Sequence, residues 1–296
     1  MSSLIRFDNF DRQFQTVGAA CLERVRKVME RGWFILGEEG RALEADLEAF
    51  LDGTGSVVGV ASGTDALTLA LWALGVGEGD EVITSSMSAF PTITAIIRAG
   101  ALPVLADIRF RDGLIDPGDL PRCLSPRTRA VIPVHLYGQC CDMEPILSFA
   151  REHGLKVIED CAQSIGATYR GRRAGTWGDC GAFSFYPTKN LGACGDGGAV
   201  RTADPEVAER LRRLRNYGQR VRYHHDSFGM NSRLDEMQAA ILSAKLPYLE
   251  GWNERRRQLA ERYRRGLKAV TPLDRHGYGD PVFHLMAVLS ERRESL

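Results

Sequence analysis

The chain has 296 residues, 44% hydrophobic and 26% charged, with Lys plus Arg (38) balancing Asp plus Glu (38) for a formal net charge of zero. That size can bury a large core and suggests one large domain with a smaller one, while the balanced charge argues against nucleic-acid or anionic-membrane partners. No run approaches the roughly 18 apolar residues of a spanning helix, and charges interrupt the opening MSSLIRFDNFDRQF too often for a secretory signal or membrane anchor. Seven cysteines, an odd number without regular spacing, suit a reducing cytoplasm better than a disulfide framework.

In chain order, residues 41–51 read as an amphipathic helix with Leu43, Leu47 and Phe50 on one face. Short apolar, β-branched runs follow at 57–60, 82–84, 103–107, 130–135, 156–159, 182–185 and 199–201. Helical spacing fills several of the intervals, at 66–74, 92–99 and 143–153. Apolar strands alternating with helices predict an α/β fold, with a mainly parallel seven-stranded sheet sandwiched by helices. Ligands in such folds sit beyond the carboxyl ends of the strands. Two more helices are expected at 233–246 and 249–267, the second with Trp252, Leu259, Tyr263 and Leu267 opposite an arginine-rich face. Interleaved Glu residues make that face a solvated one rather than a nucleic-acid patch. The adjacent pairs His224–His225 and Cys140–Cys141 lack metal-ligand spacing.

The chemistry-bearing residues lie just after the apolar runs. Asp160 closes the strand VIED, where its carboxylate can pair with a protonated pyridine nitrogen; the plainer alternative is a helix N-cap. Ser184 ends an aromatic strand, and Lys189 follows in the turn YPTKN ahead of a glycine-rich stretch. A lysine against a low-dielectric wall loses its proton readily and can form a Schiff base, although an isolated turn lysine is usually just solvated. In ASGTDALTLAL (61–71) a strand runs through a tight Ser-Gly-Thr turn into a helix whose first amides suit a phosphate. Ser62 or Thr64 acting as an ordinary N-cap is the plainer reading there. Lysine, carboxylate and glycines together are more specific than any one of them.

These segments, with GWFILGEEGRALEADLEAFL (32–51), GALPVLADI (100–108), HLYGQCCDMEPIL (135–147), the long stretch 154–200 and FGMNSRLDEMQAAIL (228–242), resemble the DegT-type sugar aminotransferases. Those are fold type I pyridoxal-phosphate enzymes acting on nucleotide-linked keto-sugars, and the resemblance covers nearly the whole chain. It implies that Lys189 forms the Schiff base with pyridoxal 5'-phosphate and shuttles protons, and that Asp160 pairs with the pyridine nitrogen. It implies further that Gln163 sits near the ring hydroxyl and that Ser184, Gly63, Thr64 and Asp65 hold the phosphate. Asn231 would reach the phosphate of a neighbouring subunit, which makes a homodimer part of the active site. An amino donor such as glutamate would load the cofactor, and a keto-sugar nucleotide would accept the amine. The GDGG after the lysine, through Asp196, is more similar to relatives that aminate carbon 3 than to those working at carbon 4.

Two departures from the pattern stand out. Where relatives carry a ring that stacks on the cofactor, this chain has Ala89, with Phe90 one place late; Phe90 either covers the ring from a shifted loop or packs in the core. Relatives also continue past the point where this chain stops, so the small domain is expected to be incomplete: a large domain over 1–245, then the start of a small one over 246–296 whose last apolar run is 282–289. One rival function is a keto-sugar dehydratase, which Lys189 opposes because dehydrating relatives carry His there. Another is a non-catalytic or regulatory cofactor-binding protein of the same fold.

Overall fold

The computed structural model of the chain describes residues 8–295; the start of the charged N-terminal stretch, residues 1–7, and Leu296 lie outside the described residues. The strands are β1 (Ser56–Val60), β2 (Glu81–Ser85), β3 (Leu102–Ala106), β4 (Thr128–Ile132), β5 (Lys156–Asp160), β6 (Cys180–Ser184) and β7 (Gly198–Thr202). They form one sheet in the spatial order β1-β7-β6-β5-β4-β2-β3. β7 runs antiparallel to both of its neighbours, and every other pairing is parallel. Each expected apolar run overlaps one of these strands.

The helices among the described residues are α1 (Phe10–Arg31), α2 (Glu38–Leu51), α3 (Gly63–Ala73), α4 (Phe90–Arg98), α5 (Leu120–Cys123), α6 (Met143–Glu152), α7 (Pro205–Leu214), α8 (Glu236–Lys245) and α9 (Leu249–Gly266). Successive side chains leave a strand on opposite faces, so two-residue alternation builds two cores from one sheet. Val58, Val82, Ile132, Ile158 and Val200 enter the core beneath α3, α4 and α7. Their neighbours Val57, Ile83, Val131, Val157 and Ala199 enter the core beneath α2, α6 and α8. Both faces of the sheet are therefore covered, which is why its strands carry near-continuous apolar sequence. α1 packs against α8 and ends in a left-handed Gly32, whose amide donates to the carbonyls of Val28 and Met29. No helix among the described residues is long and apolar enough to cross a membrane.

The run 282–289 is not one strand. Val288–Leu289 pairs with Thr271–Pro272, but the preceding residues are otherwise engaged. The Val282 amide donates to the Gly138 carbonyl, Asn190 Nδ2 donates to the Val282 carbonyl, and Phe283 has a φ of 45°. A left-handed residue breaks extended backbone at that point. Gly138 is required by the same contact, since a Cβ there would lie 2.8 Å from the amide nitrogen of His284.

Candidate active site

Parallel β1, β2, β5 and β6 deliver their carboxyl ends to one edge of the sheet, and antiparallel β7 begins there. A cavity of about 250 Å³ opens at this edge, and Gly63, Thr64, Asp160, Gln163, Ser184 and Lys189 all line it. Six residues read as cofactor ligands thus converge from four separate segments of the chain.

Each is held by local bonding. Ser62 caps α3 by accepting the Asp65 amide at 3.1 Å. The first amides of a helix have no partner within it, so the Gly63 and Thr64 amides remain for a ligand, at the positive end of the dipole. Serving as a cap and binding an anion are therefore compatible roles for this turn. α3 lies tight on β6: a Cβ on Gly63 would sit 2.6 Å from the Ser184 Cβ. That closeness puts the Ser184 hydroxyl beside the helix start.

Asp160 is buried, and no helix follows it, so the N-cap alternative does not hold. Its Oδ2 accepts from the Thr92 hydroxyl at 2.8 Å and its Oδ1 from the Ala162 amide at 3.1 Å. Ser88 Oγ lies 2.6 Å from Thr92 Oγ1; because the Thr92 proton goes to Asp160, Ser88 is the donor to Thr92. Gln163 Oε1 accepts the Tyr137 amide at 2.6 Å, which leaves the carboxamide NH2 to face the cavity. Tyr137 takes a φ of 59°, a strained position for a non-glycine residue beside a binding site.

Lys189 is half-buried, and its Nζ makes no hydrogen bond or ion pair within the described residues. Burial holds its pKa below the ordinary lysine value, against the opposing pull of the Asp160 charge. Its turn is rigid: the Lys189 amide donates to the Tyr186 carbonyl, and Asn190 Nδ2 donates to Asn253 Oδ1 at 2.8 Å.

Beneath β5, Glu159 points to the other face and is fully buried. It accepts the amides of Gly175, Trp177 and Gly178 and lies 2.9 Å from His135 Nε2. The Cys141 amide donates to His135 Nδ1, so that nitrogen carries a lone pair and Nε2 carries the proton. Burial alone would raise the Glu159 pKa; the His135 bond and the Gly178 and Gly175 amides outweigh it, and the carboxyl sits below its ordinary value. His135, Glu159 and Cys161 lie within metal-ligand distance of one another, but the imidazole and carboxylate are fully engaged by protein donors and acceptors.

Three expected residues stand elsewhere. Asp65 is buried and does not line the cavity: its carboxylate accepts from Arg98 (2.8 Å) and Ser232 (2.8 Å), and its amide donates to Ser62 Oγ. Phe90 is 77% exposed at the start of α4 and does not line the cavity; Ala89 and Pro91 do, because the turn into α4 directs the ring outward. Asn231 is exposed, bridged to Asn216, and outside the cavity. Sequence reasoning passed over Thr92 and Ser88, since a Ser and a Thr around the start of a helix look like ordinary caps.

Residues 15–295 match the family described as DegT/DnrJ/EryC1/StrS aminotransferases. The chain belongs to that family. It is 48% identical over 279 residues to dTDP-3-amino-3,4,6-trideoxy-alpha-D-glucose transaminase of Streptomyces venezuelae, covering 92% of this chain and 72% of the relative. It is 48% identical over 278 residues to UDP-N-acetyl-3-dehydro-alpha-D-glucosamine 3-aminotransferase of Acidithiobacillus ferrooxidans, covering 93% and 75%. Among solved structures, S. venezuelae DesV in complex with a ketimine intermediate superposes with a TM-score of 0.95 at 45% identity, covering 98% of this chain and 79% of that one. The fold is thus that of the fold type I aminotransferases, and the cofactor of this aminotransferase family is pyridoxal phosphate. The residues present fit that group: an uncommitted amine for its aldehyde, a fixed carboxylate for its ring nitrogen, and a hydroxyl with two helix-start amides for its phosphate.

Proposed function

We propose that this chain moves an amino group from an amino acid such as glutamate to carbon 3 of a nucleotide-linked keto-sugar. The observation that carries this reading is the half-buried, unpartnered Lys189 sharing one cavity with the fixed carboxylate of Asp160. Bound pyridoxal phosphate supplies an electron sink for the carbon that gains or loses the amine. The protein does the rest. Asp160, immobilised by Thr92 and Ala162, keeps a proton on the ring nitrogen; Ser184 with the Gly63 and Thr64 amides grips the phosphate; the Gln163 NH2 donates to the ring hydroxyl. Lys189, its amine made more easily deprotonated by burial, moves the proton between the two carbons as base and then acid. Carbon 3 is supported by the two relatives named for 3-amino sugars and by Asp196 at the cavity rim.

We also propose that two copies pair in the cytoplasm, each lending Asn231 to the partner's phosphate site. In support, Asn231 lies exposed near Phe228, which is 100% exposed, and Phe90 stands outside its own cavity. We take residues 1–245 as the large domain and 246–296 as the start of a smaller one. The test is transfer of nitrogen from 15N-glutamate to nucleotide-linked 3-keto and 4-keto sugars by the purified chain. Label on the 3-keto acceptor supports the reading, label on the 4-keto acceptor alone moves the carbon, and cofactor binding without transfer to either overturns it.

A further inference from the structure

Asn253, in the second turn of α9, is fully buried. A buried carboxamide is costly unless it is hydrogen-bonded, and asparagine is a poor helix former, so its partners matter. Its Oδ1 accepts from Asn190 Nδ2 at 2.8 Å, and its Nδ2 donates to the Ile165 carbonyl at 3.1 Å. Asn190 follows Lys189 in the turn that carries the amine, and Ile165 lies two residues beyond Gln163 in the loop that carries the carboxamide. The Asn190 NH2 also donates to the Val282 carbonyl at 3.1 Å. The Val282 amide in turn donates to Gly138, the neighbour of the Tyr137 whose amide holds Gln163. Two chains of bonds thus run from the lysine turn to the Gln163 loop. Neither amide can turn over: Ile165 and Val282 offer carbonyls, which only accept, so each NH2 is fixed. Asn190 Oδ1 is buried with no partner among the described residues, so its side chain is oriented by its donors alone. The backbone makes room as well. Gly166 has a φ of 89°, and a Cβ there would lie 2.6 Å from Asn253 Nδ2.

We propose that Asn253 is a positioning residue for the cofactor: one buried amide fixes the separation between the Lys189 amine and the Gln163 carboxamide. The aldehyde and the hydroxyl of pyridoxal phosphate stand on neighbouring ring carbons, so the groups that meet them must be held at one separation. Gln163 follows β5 and Lys189 follows β6, and Asn253 bonds the loop of each. This deepens the transamination reading and rests on it for the roles of Lys189 and Gln163.

The test compares wild type with Asn253→Leu and Glu254→Gly. The first variant keeps the side chain's size and removes both bonds. The second loosens the same helix at an exposed residue whose side chain bonds only within α9, to Arg257 and Gln258, and so serves as the structural control. Pyridoxal phosphate binding is measured by equilibrium dialysis, and the band of lysine-bound cofactor is followed with pH at saturating cofactor. Asn253→Leu is expected to bind about tenfold or more weaker. A donor to the ionised ring oxygen lowers the pKa of the proton beside it, so freeing the Gln163 NH2 should raise the pH midpoint of the band by about 0.5 or more. Glu254→Gly should match wild type in both. Asn253→Ala, which leaves room for water at both loops, is read the same way and decides the matter if Asn253→Leu does not fold. An unmoved midpoint, an affinity within about twofold of wild type, or a control that shifts as far each overturns the proposal. A wild type with no lysine-bound band refutes the assignment of Lys189 and the proposal with it, whereas an unmoved variant beside a wild type that shows the band refutes the positioning alone.

Discussion

Replacing Glu159 by glutamine keeps the shape of the side chain and removes its charge. The carboxylate accepts four donors: Trp177 and Gly178 amides on Oε1, and the Gly175 amide and His135 Nε2 on Oε2. Glutamine offers one oxygen and one NH2, so whichever way it turns, two donors face a donor. The imidazole cannot adjust, because moving its proton to Nδ1 would set that proton against the Cys141 amide. Each unsatisfied buried donor costs about 1–3 kcal/mol, giving a loss of about 2–6 kcal/mol, a large share of the roughly 5–15 kcal/mol of a typical domain. Urea unfolding of wild type and Glu159→Gln at neutral pH measures it. The sign with pH is fixed as well. Since the folded carboxyl titrates below its ordinary value, its contribution is present above the unfolded pKa of about 4.3 and is lost as pH falls through the folded pKa, so the gap narrows in acid. A loss under about 1 kcal/mol would mean that these donors find other acceptors, and the reading of Glu159 as their shared buried acceptor would be wrong.

Further outcomes follow from the same geometry. Thr92→Val removes the donor to Asp160 and is expected to cost about 1–3 kcal/mol by urea unfolding, with Thr92→Ser recovering most of it. Ser184→Ala should weaken pyridoxal phosphate about tenfold or more by equilibrium dialysis, the worth of a hydrogen bond to a charged group. Gly63→Ala presses a methyl group against Ser184 and should cost about 1–3 kcal/mol while weakening the cofactor too. Lys189→Met should raise the melting temperature of the cofactor-free chain near neutral pH, because the protonated amine is disfavoured by burial; the advantage should shrink as pH rises towards the ordinary lysine pKa.

All seven strands were legible because each is apolar on both faces, and that signal is local. Lys189, Asp160, Gln163 and Ser184 follow strand ends where ligands gather, and the structure brings them to one cavity. What the sequence hid depends on distant partners. The commitment of Asp65 to Arg98 and Ser232 joins positions 33 and 167 residues away, so Asp65 read as a ligand. Phe90 misled because one residue of register decides whether a ring faces the cavity or solvent. The run 282–289 has strand composition throughout, yet a left-handed Phe283 and the bonds of Val282 to Gly138 and Asn190 divide it. Glu159, one step from Asp160, looked like part of the same motif, although the strand's pleat sends it into the opposite core.

The most direct measurement is the visible absorbance of the chain loaded with pyridoxal phosphate, recorded for wild type and Lys189→Ala before and after glutamate. Wild type should show the band of lysine-bound cofactor and lose it when glutamate is added, while the variant shows no such band and no response. A variant that keeps the band, or a wild-type spectrum unmoved by every amino donor, would contradict the assignment of Lys189.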